Sequence, residues 1–551
     1  MTDLSVSHAK RYRLRLPDPW SSGALAIAVF VLAPILSVVW IALNPTVNIW
    51  PHLLATTLPR YFVTTLEMMF AVGAVAAATG TGAAWLVVRY SFPGVRILEW
   101  LILLPLAIPA YIGAYALVDF LEYAGPVQTS LRSLFGWQNS RDYWFPEIRS
   151  QWAAVTVLAA SMYPYVYLLA RAGFREQSGC GHEVAQSLGA GGWSRFFRIG
   201  LPLARPAIAA GTAIVMMETV NDFGTMDYFA VQTLTTGIFT TWLESNNAGG
   251  AAQIACVVLS LVIFLVALEK VSRKKVRFYA LSKRHRPIQR LPLRGIAGWM
   301  ACAACLFPFL VGFVLPAAVI ADHALSNIEG FWAPGLLKAL WNTLTVGGIA
   351  AVVTVIAALF MVYGVRLSGR KLPAVIAPIT TIGYAAPGAV LGIGILIPLA
   401  KVDHLLADLT EAITGASAGL ILTGSAFALV VAYCVRFFAI AQGAADAAMG
   451  RVAPSLPMAA RSLGRAKGRV LVEVYLPLIR GSVGSALLLV FVDCVKELPA
   501  TLLLRPFNYN TLATRVYDQA SLENLGDAAP AALMVSFVGV IAVAMLARTN
   551  R

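Results

Sequence analysis

The chain has 551 residues, of which 59% are hydrophobic and only 13% charged, and it carries a formal net charge of +15 at pH 7. A soluble chain of this length divides into several domains and cannot hide so much apolar surface around separate cores, so the composition excludes one and points to a polytopic membrane protein. The positive balance follows from topology, because Lys and Arg collect in loops that stay in the cytoplasm, and it calls for no nucleic-acid partner.

Lys10, Arg11, Arg13 and Arg15 precede an apolar run from about 24 to 43. They place residues 1–22 in the cytoplasm. The run lacks a small-residue cleavage site and is expected as a retained helix. Five more spans are expected at about 62–88, 98–120, 151–173, 204–225 and 251–268, making residues 23–269 a first six-helix repeat. The outer segment 121–150 carries Trp137, Tyr143, Trp144 and Phe145, which suit an interface. Residues 270–294, from Lys270 through Arg277 and Lys283 to Arg294, form a basic cytoplasmic linker. Six further spans at about 295–321, 342–364, 373–400, 416–440, 481–504 and 528–547 make a second repeat over 295–547, with 402–415 outside. Arg548 and Arg551 then leave residues 548–551 in the cytoplasm. Cys302-Ala-Ala-Cys305 has redox spacing, but inside a membrane helix its thiols read as small hydrophobes.

Two polar and basic loops fall between apolar runs, and they match. Glu183-Val-Ala-Gln-Ser-Leu-Gly189 followed by Leu201-Pro202 is answered by Met458-Ala-Ala-Arg-Ser-Leu-Gly464 followed by Leu476-Pro477. Ala185, Leu188, Gly189, Leu201 and Pro202 recur as Ala460, Leu463, Gly464, Leu476 and Pro477, each 275 positions on. Each loop is expected to hold a short helix stopped by its Gly, a second short helix, and a Leu-Pro turn into the next span. Thr65-Leu66 and Pro109 recur 278 positions on, as Thr343-Leu344 and Pro387. Each half crosses an even number of times, so the expected fold is all-α, about twelve transmembrane helices in two parallel six-helix repeats with the pathway between them.

The loops resemble the EAA loop of ATP-binding-cassette (ABC) importer permeases. That resemblance implies a type I importer fold in which Glu183, Ala185, Leu188, Gly189, Leu201 and Pro202, with Ala460, Leu463, Gly464, Leu476 and Pro477, contact an ATPase homodimer. Met458 stands where the first loop has Glu183, a departure that bears on whether the two contacts are equal.

After each loop, four carboxylates superpose under the repeat: Glu218 with Asp493 and Asp222 with Glu497. A spacing of four puts each pair on one helix face, and acids at membrane depth are costly unless they face water, a partner or a ligand. The expectation is an acidic ring lining the path, with an outer, hydrated location or pairing to Lys496 as the structural alternative. The segments Asp222–Phe239 and Lys496–Tyr517 look like those of ferric-iron importer permeases with two fused halves. That resemblance implies an inner-membrane subunit carrying ferric iron from an extracytoplasmic binding protein. Thiamine, polyamine or another small solute is the alternative cargo, and an ion-driven secondary carrier the alternative class. No phosphate-binding Gly-x-x-x-x-Gly-Lys-Ser/Thr loop is present, so ATP is expected on a partner subunit and no cofactor or firmly assigned metal site on this chain.

Overall fold

The computed structural model describes residues 19–177, 179–274, 290–368, 376, 377, 379–381, 383, 386–415 and 419–549. Among these, 11 helices are long and apolar enough to cross a membrane, and the count is 12 when the bent pair Val95–Ala107 and Ala110–Phe135 is taken as one span. Most of the expected basic linker and the start of the expected ninth span, 373–375, lie outside the described residues.

Several expected spans are corrected. The third is broken, with a bend of 94°. Pro109 has no N–H to give and holds Ile108 extended, so the helix stops and restarts at Ala110. Pro387, its counterpart, begins the ninth helix, Gly388–Thr414, which continues through 402–414 where a loop was expected. The tenth begins only at Phe427, after residues 421–423 have turned their backbone amides onto the carboxylate of Asp403 at 2.8–3.1 Å.

The fifth and eleventh spans are longer than expected at the loop end, and both stop early at the other. They are helices Gly192–Asn221 and Lys467–Val495. The Leu-Pro pairs do not turn the chain as expected. Each Pro sits just after one wide turn, Phe196–Gly200 or Leu471–Tyr475, in which the backbone bonds reach five residues back. The extra residue makes room for the Pro ring against the preceding turn and lets the helix run through. Leu315-Pro316, in the seventh span Ile296–Ser326, is prepared in the same way by Leu310–Val314.

The first helix of each half packs on the other half. Ala24, Ala28, Val31 and Ile35 of Pro19–Leu43 are buried among residues of the second half, while Ala301 and Cys305 of the seventh span are buried in the first. Glycine permits close approaches: a Cβ on Gly394 would collide with the carbonyl of Pro34, and one on Gly312 with that of Ala160. Beside the third span, Tyr90–Ser91 pairs in parallel with Leu291–Pro292, and Arg290 reaches Glu99 at 3.1 Å, so the end of the linker is tied to the first half. Arg171 and Arg175 pair with the same carboxylate.

The same small devices recur in both halves. The hydroxyl of Thr65 donates to the carbonyl of Tyr61 and accepts the N–H of Leu234 at 2.9 Å, and Thr343 does the same for Ala339 and Leu512 at 2.8 Å. Thr233 with Thr236, and Thr511 with Thr514, then close reciprocal caps on the short helices that follow. Replacing Thr65 or Thr343 by Val strands a buried N–H, which costs about 1–3 kcal/mol. Both variants should lower the thermal unfolding midpoint of the detergent-purified chain by similar amounts, and an unchanged midpoint would show that these hydroxyls hold nothing.

Candidate functional site

At the ends of the fifth and eleventh spans remote from the loops lies a cavity of about 130 Å³. All four acids of the expected ring line it, and so do Arg436 and Lys496. Its walls repeat: Met162, Glu218, Asn221 and Asp222 are matched 275 positions on by Phe437, Asp493, Lys496 and Glu497. The structure therefore brings together, in one space between the halves, all four acids of the expected ring.

The arrangement within each half differs from the expectation. Asp222 and Glu497 do not share a helix face with Glu218 and Asp493, because the helices end at Asn221 and Val495 and the second acid of each pair lies just beyond. Both acids instead receive the next short helix. Asp222 accepts the N–H of Thr225 at 2.9 Å and of Met226 at 3.3 Å, and the Thr225 hydroxyl at 3.2 Å. Glu497 accepts the N–H of Ala500 at 3.1 Å, three residues on, as Thr225 is from Asp222. A carboxylate at a helix N-terminus satisfies orphan donors and meets the positive end of the helix dipole.

The second half adds cations. Lys496 pairs with Asp493 at 2.8 Å, and Glu497 pairs with Arg436 of the tenth span at 3.0 Å. The expected alternative of pairing to Lys496 is thus met at Asp493, three residues away on one helical turn, while Glu497 takes Arg436. Sequence reading missed Arg436. A guanidinium within the apolar run after Phe427 was itself the signal, since a charge there must find a buried partner.

The loops fold as short helices, Gly179–Ser187 and Ser455–Ser462, which begin before Glu183 and Met458, where the matched loop segments start. Gly189 and Gly464 end them with φ of +82° and +81°, which favours glycine. The following N–H bonds back five residues, Ala190 to Ala185 and Arg465 to Ala460, closing the same motif twice. Leu188 and Leu463 are left 81% and 83% exposed, and Glu183 and Met458 also face outward. The supports differ. Buried His182 lies against Trp85 and bonds to Gln177 at 3.0 Å, and Gln177 donates to the carbonyl of Gly200. The second loop helix buries no residue at all.

Two predictions follow from these contacts. Burial, then the charges of Arg89 and Arg195, push the pKa of His182 down to about 4. A detached loop titrates near about 6.5. Docking is therefore at full strength above that pH and weakens as pH falls towards 4, because the detached loop binds a proton that the docked one refuses. Hydrogen exchange over 179–187, corrected for intrinsic rates, should quicken between about pH 7 and pH 5, and a His182→Gln chain should lose that pH dependence; equal behaviour of the two would remove the switch. At the cavity, Arg436→Met leaves Glu497 buried without its cation and should cost about 3–5 kcal/mol of stability. Adding Glu497→Gln should restore most of it, and no recovery in an unfolding titration would mean that Arg436 acts through other contacts.

Known proteins support the same assignment. Residues 71–278 match the family described as "Binding-protein-dependent transport system inner membrane component". The chain is 25% identical over 488 residues to the Fe(3+)-transport system permease protein FbpB 2 of Haemophilus influenzae, covering 88% of each chain. It is 24% identical to a putative ferric transport system permease protein, FbpB 1, of the same organism, covering 75% of this chain and 64% of that one. A putative molybdenum transport system permease protein of Bacillus subtilis, YvgM, is 29% identical over 221 residues, which are 38% of this chain but 94% of the relative, so it has about the length of one half. With its apolar spans and paired loops, the chain is similar over residues 71–278 to the binding-protein-dependent inner-membrane transport components, and over most of its length to permease proteins of ferric transport systems.

Proposed function

We propose that this chain supplies both permease halves of an importer for ferric iron, received from an extracytoplasmic binding protein and driven by ATP hydrolysed on a separate ATPase homodimer. The observation that carries the cargo is the similarity to the Fe(3+)-transport permease along 88% of both chains. The cavity agrees with it chemically, since a ferric ion is a hard cation that prefers oxygen donors and four carboxylates line the space. Glu218, Asp222, Asp493 and Glu497 then belong to the translocation path, Asp222 and Glu497 also capping the helices that frame it.

On this reading the loop helices enter the two ATPase subunits. Glu183, Ala185, Leu188 and Gly189 make the first contact, and Ala460, Leu463 and Gly464 the second. Exposed Leu188 and Leu463 are the apolar anchors. Leu201, Pro202, Leu476 and Pro477 lie within the helices that carry each loop's movement inward. The loops and both termini face the cytoplasm, in keeping with the basic N-terminal and linker segments.

Similarity to molybdenum permeases raises an oxyanion as the second reading. An oxyanion would have to pass four carboxylates offset by only two cations among the described lining residues, which disfavours it. Replacing Glu218 by Gln and Asp493 by Asn together should abolish ferric uptake by cells while the chain still inserts and co-purifies with its ATPase. Wild-type uptake by a fully assembled double variant would remove these two acids from the path.

A further inference from the structure

The first helix of each half lies on the other half, and the two contacts that result are built differently. In the second half the first span seats directly on the eighth, Leu336–Leu367. The ring of Phe360 stacks on that of Trp20 at 4.8 Å, and a Cβ on Gly23 would collide with it. One turn on, Gly364 leaves room for the carbonyl of Trp20. The second span, Leu58–Arg89, has Gly82 where the eighth has Phe360, 278 positions on, and Leu86 where it has Gly364. A Cβ on Gly82 would meet nothing within 4 Å.

The space that Phe360 takes in the second half stays open in the first. Between the second, fourth and seventh spans runs a groove of about 450 Å³, with Ala78, Gly82 and Ala83 on one side, Ala159 and Ala160 on another and Ala304 on the third. A single water needs roughly 10–15 Å³, so the space is far larger than a packing flaw. Among the described residues that line it none is charged, and the hydroxyl of Thr156 donates to the carbonyl of Trp152 at 2.9 Å within its own helix. Water would find few partners there, and an empty groove would leave its walls without dispersion contacts. Of the lining residues Phe307 is 68% and Val75 45% exposed, so the groove opens on the surface that these apolar spans present to the bilayer.

We propose that one acyl chain of a bilayer phospholipid fills this groove as a lasting part of the structure, wedged between the second and seventh spans as Phe360 is wedged between the eighth and the first. The setting selects the occupant. The groove faces hydrocarbon, carries no charge that would choose a polar ligand, and has a counterpart that the chain fills with its own apolar rings. Small residues let membrane helices approach closely where the helices meet. At Gly82 the second and seventh spans do not meet, and the small residues form a trough instead. Because the seventh span belongs to the second half, lipid completes on one side of the molecule the same contact between halves that protein completes on the other. The inference does not depend on which cargo crosses.

The repeat supplies the test, since Gly82→Phe gives the groove the ring that the second half already has. The permease–ATPase assembly is placed in vesicles of phosphatidylethanolamine and phosphatidylglycerol with a trace of phosphatidylethanolamine bearing a diazirine in its acyl chain. Brief illumination of wild type should label residues 75–86 and 304–311 more heavily than the exposed face of the eighth span at Val352, Val353 and Ile356. Gly82→Phe should lose that excess while the label on the eighth span stays. After extensive washing in detergent, wild type should also keep one more phospholipid per chain than the variant, read by phosphorus analysis. Ala304→Leu, which fills the groove from the facing span, is read in its place if Gly82→Phe fails to assemble. Equal labelling of the two regions in wild type, an excess that survives filling of the groove, or equal phospholipid retention would overturn the site and leave only bilayer lipid passing over an uneven surface.

Discussion

A helix that stops within a bilayer leaves backbone groups at its end without partners, and no water is at hand to take them. The fifth and eleventh spans stop beside the cavity, and much of the surrounding structure meets that constraint. Asp222 and Glu497 receive the N–H groups of the short helices that follow. Thr65 and Thr343, from the second and eighth spans, take the N–H of Leu234 and Leu512 further on. Broken backbone is thus retained around a polar space between the halves, where it is buried in protein or faces the cavity. Two of the acids that line the cavity are the same groups that make the breaks stable, so cavity and scaffold share residues.

The loops and the cavity sit at opposite ends of single helices. Gly192–Asn221 has 30 residues and Lys467–Val495 has 29, each about 45 Å long. The wide turns before Pro202 and Pro477 keep these rods continuous where a proline would otherwise break them. Each rod therefore joins a loop directly to the residues that line the cavity. The first helix of each half, lent to the other half, binds the two units together. The rods are not equivalent at the loop end: His182, Gln177 and Trp85 fix the first loop helix to its rod, and nothing comparable buries the second.

The membrane class, the twelve crossings, the repeat of the loops and the identity of the four acids were all legible in the sequence. These features are written in composition and in fixed displacements. The helix ends were not. Periodicity continues through Asp222 and Glu497 as if the helix did, because a capping acid and a helical acid are the same residue type until the next N–H is located. Leu-Pro was read as a turn since the wide turn that accommodates it carries no composition of its own. Arg436 escaped notice because its partner is 61 positions away, whereas Lys496 opposite Asn221 under the repeat was legible in the sequence.

The central claim is that ferric iron crosses between the two halves under the force of ATP hydrolysed elsewhere. Its most direct test is radioactive iron uptake by proteoliposomes containing this chain and its ATPase, with ferric-loaded binding protein outside, ATP inside and no ion gradient. The account predicts uptake that requires all three proteins and hydrolysable ATP, with no uptake of molybdate under the same conditions. Uptake driven by an ion gradient in vesicles lacking the ATPase, or transport of molybdate in place of iron, would contradict it.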